Sequence, residues 1–365
     1  MNIAFFGSSL VSAYWNGAAT YYRGLIRALN DRGHQITFYE PDAFDRQDHR
    51  DLPEPDFAHS VVYGTETEEG VRAALDEAKY ADLVVKASGI GIFDQLLERG
   101  VLDLKKNDTL VAFWDVDAPA TLESVMSDES NPFRALIPQY DFVFTYGGGP
   151  PVVQAYEELG AQRCVPIYNA LDPSTHHPVE PNPRFEGTLG FLGNRMPDRE
   201  ERVEEFFLRP ARSMPDERFL LGGSGWEEGI SLPENVDYLG HVYTRDHNDF
   251  NCTPLAVLNI SRESMARFGF SPATRVFEAA GAGACLITDA WDGLDQFLTP
   301  GEECLVAYDG DDVVEHLRAL TPERARSIGE RARERLLAEH TYSRRAEQVE
   351  AVLNETRTDR PKVVS

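Results

Sequence analysis

Short β-rich apolar runs alternate with segments of helical period along the whole chain, and that alternation restricts it to parallel sheets wrapped by helices. One series opens at Ile3 to Phe6. Tyr21, Tyr22, Leu25, Ile26 and Leu29 then recur at helical spacing up to Gly33, and Gln35 to Tyr39 returns as a strand. Asp82 to Lys86, Leu110 to Trp114, Phe142 to Thr145 and Cys164 to Ile167 continue the series, while the acidic, proline-containing stretch Asp42 to Pro55 reads as a surface loop. A second series runs through Thr188 to Leu192, Arg218 to Leu221, Val236 to Leu239, Ala256 to Ile260, Ala284 to Thr288 and Cys304 to Ala307. Helical stretches at about 198–213, 271–281, 311–320 and 322–338 lie among these runs. A chain of 365 residues also exceeds one comfortable core. The expected fold is α/β, with two Rossmann-like doubly wound domains facing across a cleft. They cover 1–168 and 169–340, with 341–365 a C-terminal helix able to pack back on the first domain, and a tail.

The formal charge of −26 and a pI near 4.7 oppose binding to nucleic acid or anionic lipid, because both require a cationic contact face. No apolar run is long enough for a membrane span, and Met1 to Gly7 reads as a first strand without a basic leader, so a soluble, cytoplasmic protein is expected. Cys164, Cys252, Cys285 and Cys304 are scattered, which indicates neither a disulfide framework nor a zinc site. Neither a Gly-x-Gly-x-x-Gly fingerprint nor a Gly-x-x-x-x-Gly-Lys-Ser loop follows the first strand, which weakens readings as a dinucleotide oxidoreductase or a nucleoside triphosphatase.

The stretch Phe270 to Gly283 leads into the strand-like run Ala284 to Thr288. Ser271 suits an N-cap and Pro272 the first helical position, so a short helix is expected there with its unpaired amides open to a phosphate. Arg275 lies one turn in and Glu278 three residues further on nearly the same face, so a cation and a carboxylate can meet one ligand with a charged end and a hydroxylated end. A nucleotide diphosphate sugar is such a ligand. An ordinary capped helix with a surface Arg and Glu accounts for the same residues.

These residues resemble the glycosyltransferases of the two-Rossmann-domain GT-B fold, specifically the retaining group-1 enzymes and the spore-maturation CgeB-like family, over nearly the whole chain. Asn169 to Pro178 is similar to that group's interdomain segment, with Ala170 in place of a glycine. Leu192 to Arg199 is similar to the CgeB-like stretch that opens the second domain, and Tyr238 to Val242 matches the next strand and turn. Phe277 to Gly283 corresponds to an element whose glutamate, here Glu278, holds the nucleotide ribose. The donor-sugar glutamate of the retaining group falls on Phe270, the nearest earlier acid being Glu263.

The resemblance implies a diphosphate held by Arg195, Arg275 and Arg262, with amides at Gly193, Asn194 and Ser271, and with Arg199 as a further candidate. Fixed guanidinium and amide donors would stabilise the leaving diphosphate without a metal. Arg199 also suits a salt-bridged helix face with Glu200 to Glu205, whereas Gly193-Asn194-Arg195 directly follows a strand, where ligands approach open parallel sheets. Gly17 would let backbone approach the diphosphate from the first domain, or is only a loop glycine. Asp115 and Asp117 end a strand of that domain and are the candidate catalytic groups with Arg275; Asp117 equally suits a helix cap. Thr145 to Pro150 can wrap a sugar or be a simple turn, Asp292 follows a strand near the donor-sugar end or caps a helix, and His241 and His247 read as structural.

The expected function is transfer of a sugar, by a hexosyltransferase-class enzyme, from a nucleotide-diphosphate sugar to an acceptor hydroxyl. Retention is expected, with no metal and no resident cofactor, the nucleotide sugar being a co-substrate. The expected partners are that donor and an unidentified hydroxyl acceptor, with no nucleic acid and no integral membrane segment. A nucleotide-sugar epimerase and a non-catalytic nucleotide-sugar-binding protein are the competing readings.

Overall fold

A computed structural model of the chain describes residues 1–14, 16–227 and 229–359. The chain forms two compact units, one of Met1–Tyr168 together with the helix beginning at Tyr342, the other of Asn169–Thr341. Residues 360–365 of the expected tail lie outside the described residues.

Among the described residues the first unit holds a seven-stranded parallel sheet. Its strands are β1 (Asn2–Phe6), β2 (Gln35–Pro41), β3 (His59–Tyr63), β4 (Leu83–Ala87), β5 (Leu110–Asp115), β6 (Phe142–Thr145) and β7 (Cys164–Pro166), in the spatial order β3-β2-β1-β4-β5-β6-β7. Strand β1 lies between β2 and β4, with Ile3 opposite Ile36 on one side and Leu83 on the other. Apolar side chains therefore cover both faces of the central strands, as a sheet flanked by helices requires. Strand β3 is absent from the sequence reading, because a five-residue edge strand with only partial burial carries little periodic signal.

The second unit repeats the plan with β8 (Leu189–Leu192), β9 (Phe219–Gly222), β10 (Val236–Gly240), β11 (Ala256–Asn259), β12 (Leu286–Asp289) and β13 (Leu305–Ala307). These six parallel strands lie in the order β10-β9-β8-β11-β12-β13. The segment expected as one helix at 198–213 changes pitch: Glu200–Val203 and Arg209–Ser213 are α-helical, and Glu204–Leu208 between them is a wider π turn. Pro210 gives the physical reason, since it lacks an amide hydrogen and its ring crowds the carbonyl one turn back. All four cysteines are free, and no helix among the described residues is long and apolar enough to cross a membrane.

The C-terminal helix Tyr342–Asp359 belongs to the first unit. Its buried Tyr342 ring lies directly over Gly24 of the helix Ala19–Asp31, where a Cβ would occupy the ring. Glu350 accepts from Arg32 Nη2 at 2.6 Å and lies 3.0 Å from His34 Nε2, while Arg345 Nε donates to the Tyr168 carbonyl at 3.1 Å. Replacing Gly24 by Ala should lower stability by about 1–3 kcal/mol through overpacking of this contact. Urea unfolding of the wild-type and variant chains measures it, and an unchanged midpoint would contradict the packing described.

Candidate functional site

In each sheet the chain winds outward from one strand and then returns to its other side, leaving a crevice beyond the carboxyl ends at the reversal. In the second unit the reversal lies between β8 and β11. Gly193 follows β8, and Ser261 and Arg262 follow β11.

Tight packing fixes the loop after β8. Gly193 N donates to the Gly222 carbonyl at 2.9 Å, its own carbonyl accepts from Trp226 Nε1 at 2.7 Å, and Arg195 N donates to Ser224 O at 2.9 Å. The Asn194 side chain accepts from Ser224 N at 3.0 Å, so it ties two loops together. Gly223, at φ 118°, leaves no room for a Cβ beside the Gly193 carbonyl.

Five arginines surround this loop, and they divide into two kinds. Arg195 Nε donates to Glu200 Oε1 at 2.7 Å, Arg262 Nε to Asp198 Oδ2 at 2.7 Å, and Arg202 Nη2 to Asp289 Oδ2 at 2.6 Å. Arg199 and Arg275, by contrast, make no ion pair among the described residues, and the buried Arg199 Nε has no hydrogen-bond partner. Both guanidinium groups reach the same spot over Gly193: a Cβ there would lie 2.9 Å from Arg199 Nη1, 3.1 Å from Arg275 Nη2 and 3.1 Å from the Phe191 ring. The Arg275 guanidinium also lies over Phe191, 5.1 Å from the ring centroid. Burial lowers the basicity of both arginines; Arg199 lowers that of Arg275 further, and Glu278 and Asp289 partly offset the effect. Two cations converging on one spot, neither held in an ion pair among the described residues, can accept an anion there.

Arg195, expected at the diphosphate, takes an ion pair with Glu200, whereas Arg199, expected either at the diphosphate or on a salt-bridged face, turns inward toward Gly193. One correction concerns Ser271. The helix spans Thr274–Gly281 with Ala273 at its N-cap and no side-chain cap, and Ser271 is buried before it. Phe270 has φ 47° and donates to the Asp292 carbonyl at 2.6 Å, while Asn169 Nδ2 donates to the Pro272 carbonyl at 3.3 Å. Those contacts keep the chain extended through Ala273. Asp292 itself is exposed and caps no helix, and the Phe270 ring covers Gly293, where a Cβ would overlap it.

Glu278 lies on the same helix as Arg275. It stands with His176 and His247 in a cluster whose ligating atoms all lie within 4.8 Å of one another, a grouping distributed too widely in sequence to be read there. His241 is exposed and packs edge-on against Tyr243.

In the first unit the two candidate acids separate. Asp115 is fully buried: Oδ1 accepts from Ser88 Oγ at 2.7 Å, Asp117 N at 3.0 Å and Thr121 Oγ1 at 3.0 Å, and Oδ2 accepts from Tyr156 OH at 2.5 Å. Burial raises its pKa against the effect of those donors. Asp115, turned away from solvent with four donors around it, braces the loops that follow the strand ends. Asp117 is exposed at the N-cap of the helix Ala118–Ser127, its side chain making no cap hydrogen bond. Gly17 is exposed, with nothing within 4 Å of a Cβ placed on it, so packing does not demand glycine there. Gly148 and Gly149, at φ 90° and 47°, end the turn and begin the helix Gly149–Glu158, which explains them locally.

Asp115→Ala should cost about 3–5 kcal/mol, since it strands four donors in the interior, whereas Asp117→Ala should change stability by less than about 0.5 kcal/mol. Chemical denaturation of the two variants separates a brace from an available acid. Equal losses would contradict the assignment.

No curated protein sequence matches the chain. A family model described as glycosyl transferase-like matches residues 199–351, which include Arg199, Arg275 and Glu278. Among solved structures, sucrose-phosphate synthase from Thermosynechococcus elongatus is similar at a TM-score of 0.69 and 14% identity, covering 97% of this chain and 98% of that one. HepE of Anabaena, in complex with UDP-glucose, is similar at 0.66 and 12%, covering 97% and 100%. An alpha-glucosyltransferase in complex with UDP and DNA is similar at 0.69 and 12%, covering 97% and 99%. With both sheets doubly wound and this likeness spanning nearly the whole chain, the fold is that of the GT-B glycosyltransferases.

Proposed function

We propose that the protein transfers a hexose from a nucleoside-diphosphate sugar to an acceptor hydroxyl, with retention and without a metal requirement. The observation that carries this reading is the convergence of Arg199 and Arg275, without carboxylate partners, over Gly193 at the sheet's reversal point. The match of residues 199–351 to a glycosyl transferase-like family supports it. So does the nucleotide-sugar ligand recorded in HepE, whose fold is shared.

In this reading Arg199 and Arg275 take the diphosphate, assisted by the side-chain-uncapped first turn of Thr274–Gly281. Glu278, one turn further along, accepts from the ribose hydroxyls. The bond between the sugar's anomeric carbon and the diphosphate oxygen breaks, the acceptor oxygen bonds to that carbon on the same face, and a leaving phosphate oxygen takes the acceptor's proton. Negative charge grows on the diphosphate as this happens, and the two guanidinium groups stabilise it where it forms. A front-face route needs no carboxylate base, which accords with the burial of Asp115. The acceptor side falls to the first unit, where Asp117 is open to a hydroxyl.

Arg199→Ala and Arg275→Ala should each weaken binding of a nucleoside diphosphate by about 10- to 100-fold, the worth of one charged hydrogen-bonding group. Gly193→Ala should act in the same direction by displacing both side chains. Glu278→Ala should weaken the nucleoside diphosphate while leaving inorganic pyrophosphate unaffected, because only the former carries a ribose. Calorimetric titration with uridine and guanosine diphosphates and with inorganic pyrophosphate measures these effects, and full affinity in all four variants would remove the site.

A further inference from the structure

Three side chains from separate parts of the second unit meet beside the arginine site. His176 comes from the segment after Asn169, His247 begins the helix His247–Cys252, and Glu278 comes from the helix Thr274–Gly281. Their ligating atoms lie within 4.8 Å of one another, yet none of the three hydrogen-bonds to another among the described residues. His176 is 5% exposed, and its Nε2 is buried without any hydrogen-bond partner. Its other nitrogen, Nδ1, is occupied by Thr175 Oγ1 at 3.0 Å, a contact of the kind that orients a metal-bound imidazole. His247 Nε2 lies 3.3 Å from the Val242 carbonyl. A carbonyl can only accept, so that nitrogen carries the proton and Nδ1 keeps its lone pair.

We propose that His176, His247 and Glu278 form a site for a divalent d-block cation of the zinc and cobalt class. Two imidazole nitrogens and one carboxylate suit such an ion rather than magnesium or calcium, which prefer all-oxygen shells. Three protein ligands leave a fourth position open to water. The scattered cysteines take no part. Glu278 is also the carboxylate assigned above to the ribose, so a bound cation and a bound nucleotide compete for it, a consequence that rests on the proposed function.

The test adds cobalt(II) alone to the untagged, metal-stripped full-length chain and follows the ligand-field absorption of a tetrahedral nitrogen and oxygen complex. A single equivalent should bind and be displaced by zinc. His176→Ala, His247→Ala and Glu278→Gln should each weaken binding by more than about 100-fold, above the loss that outer-shell partners cause. His177→Ala and His241→Ala, at exposed positions, should leave it unchanged. Thermal melting without metal verifies that each variant is folded; Glu278→Gln, on a half-buried helix position, keeps the test decisive if a histidine variant is not. Absence of the cobalt spectrum, or equal affinity in Glu278→Gln and wild type, overturns the proposal. Zinc should also weaken uridine diphosphate binding. Histidine-dependent cobalt binding with no effect on the nucleotide would leave the metal site standing and remove the ribose role of Glu278.

Discussion

Two guanidinium groups over a single glycine are held in place by packing, with no direct ion pair to either among the described residues. Phe191 lies beneath Arg275, the Gly193 carbonyl is held by Trp226, and the absence of a Cβ at Gly193 leaves space for both Arg199 and Arg275. Each neighbouring arginine, Arg195, Arg202 and Arg262, has a carboxylate of its own. Those pairs shape the surrounding loops, and the inner two cations have no such pair among the described residues. Their mutual repulsion at close range is unfavourable, and an anion bound there would relieve it.

Carboxylates serve a different purpose at the ends of the strands. Asp115 at the end of β5 gathers Ser88, Thr121 and Tyr156, and Asp289 at the end of β12 accepts from Ser261 N at 2.8 Å and from Arg202. Glu40 in β2, fully buried, accepts from Ser9 Oγ at 3.0 Å, Leu10 N at 2.6 Å and Gln47 Nε2 at 2.6 Å. Each acid braces a loop that follows a strand, where backbone and hydroxyl donors would otherwise lack partners. Loops at the carboxyl ends of both sheets are tied to buried carboxylates in this way. An acidic composition therefore does more than solvate the surface.

Most strands were legible because parallel strands buried on both faces read as continuous apolar runs, as Leu83 to Ala87 and Ala256 to Asn259 do. The edge strand His59–Tyr63 was not, since it is only partly covered. The helix at Thr274–Gly281 was legible in its Arg275–Glu278 spacing but not in its start, because the Phe270 and Pro272 contacts that delay it come from distant residues. Within Arg195 to Glu205, local pattern could not tell which arginine pairs with Glu200 and which turns inward. Asp115 and Asp117 present the same problem: two residues apart, they differ in burial completely.

The order of apolar runs, the glycine after β8 and the helical spacing of Arg275 and Glu278 are properties of the chain itself, and they suffice for two doubly wound sheets and for a helix that carries both side chains near one sheet's reversal. Hydrogen-bond and charge partnerships are not local properties. Which acid is entombed, which arginine is left without a carboxylate and which histidines stand beside Glu278 depend on side chains brought together from remote segments, so only the folded packing decided them.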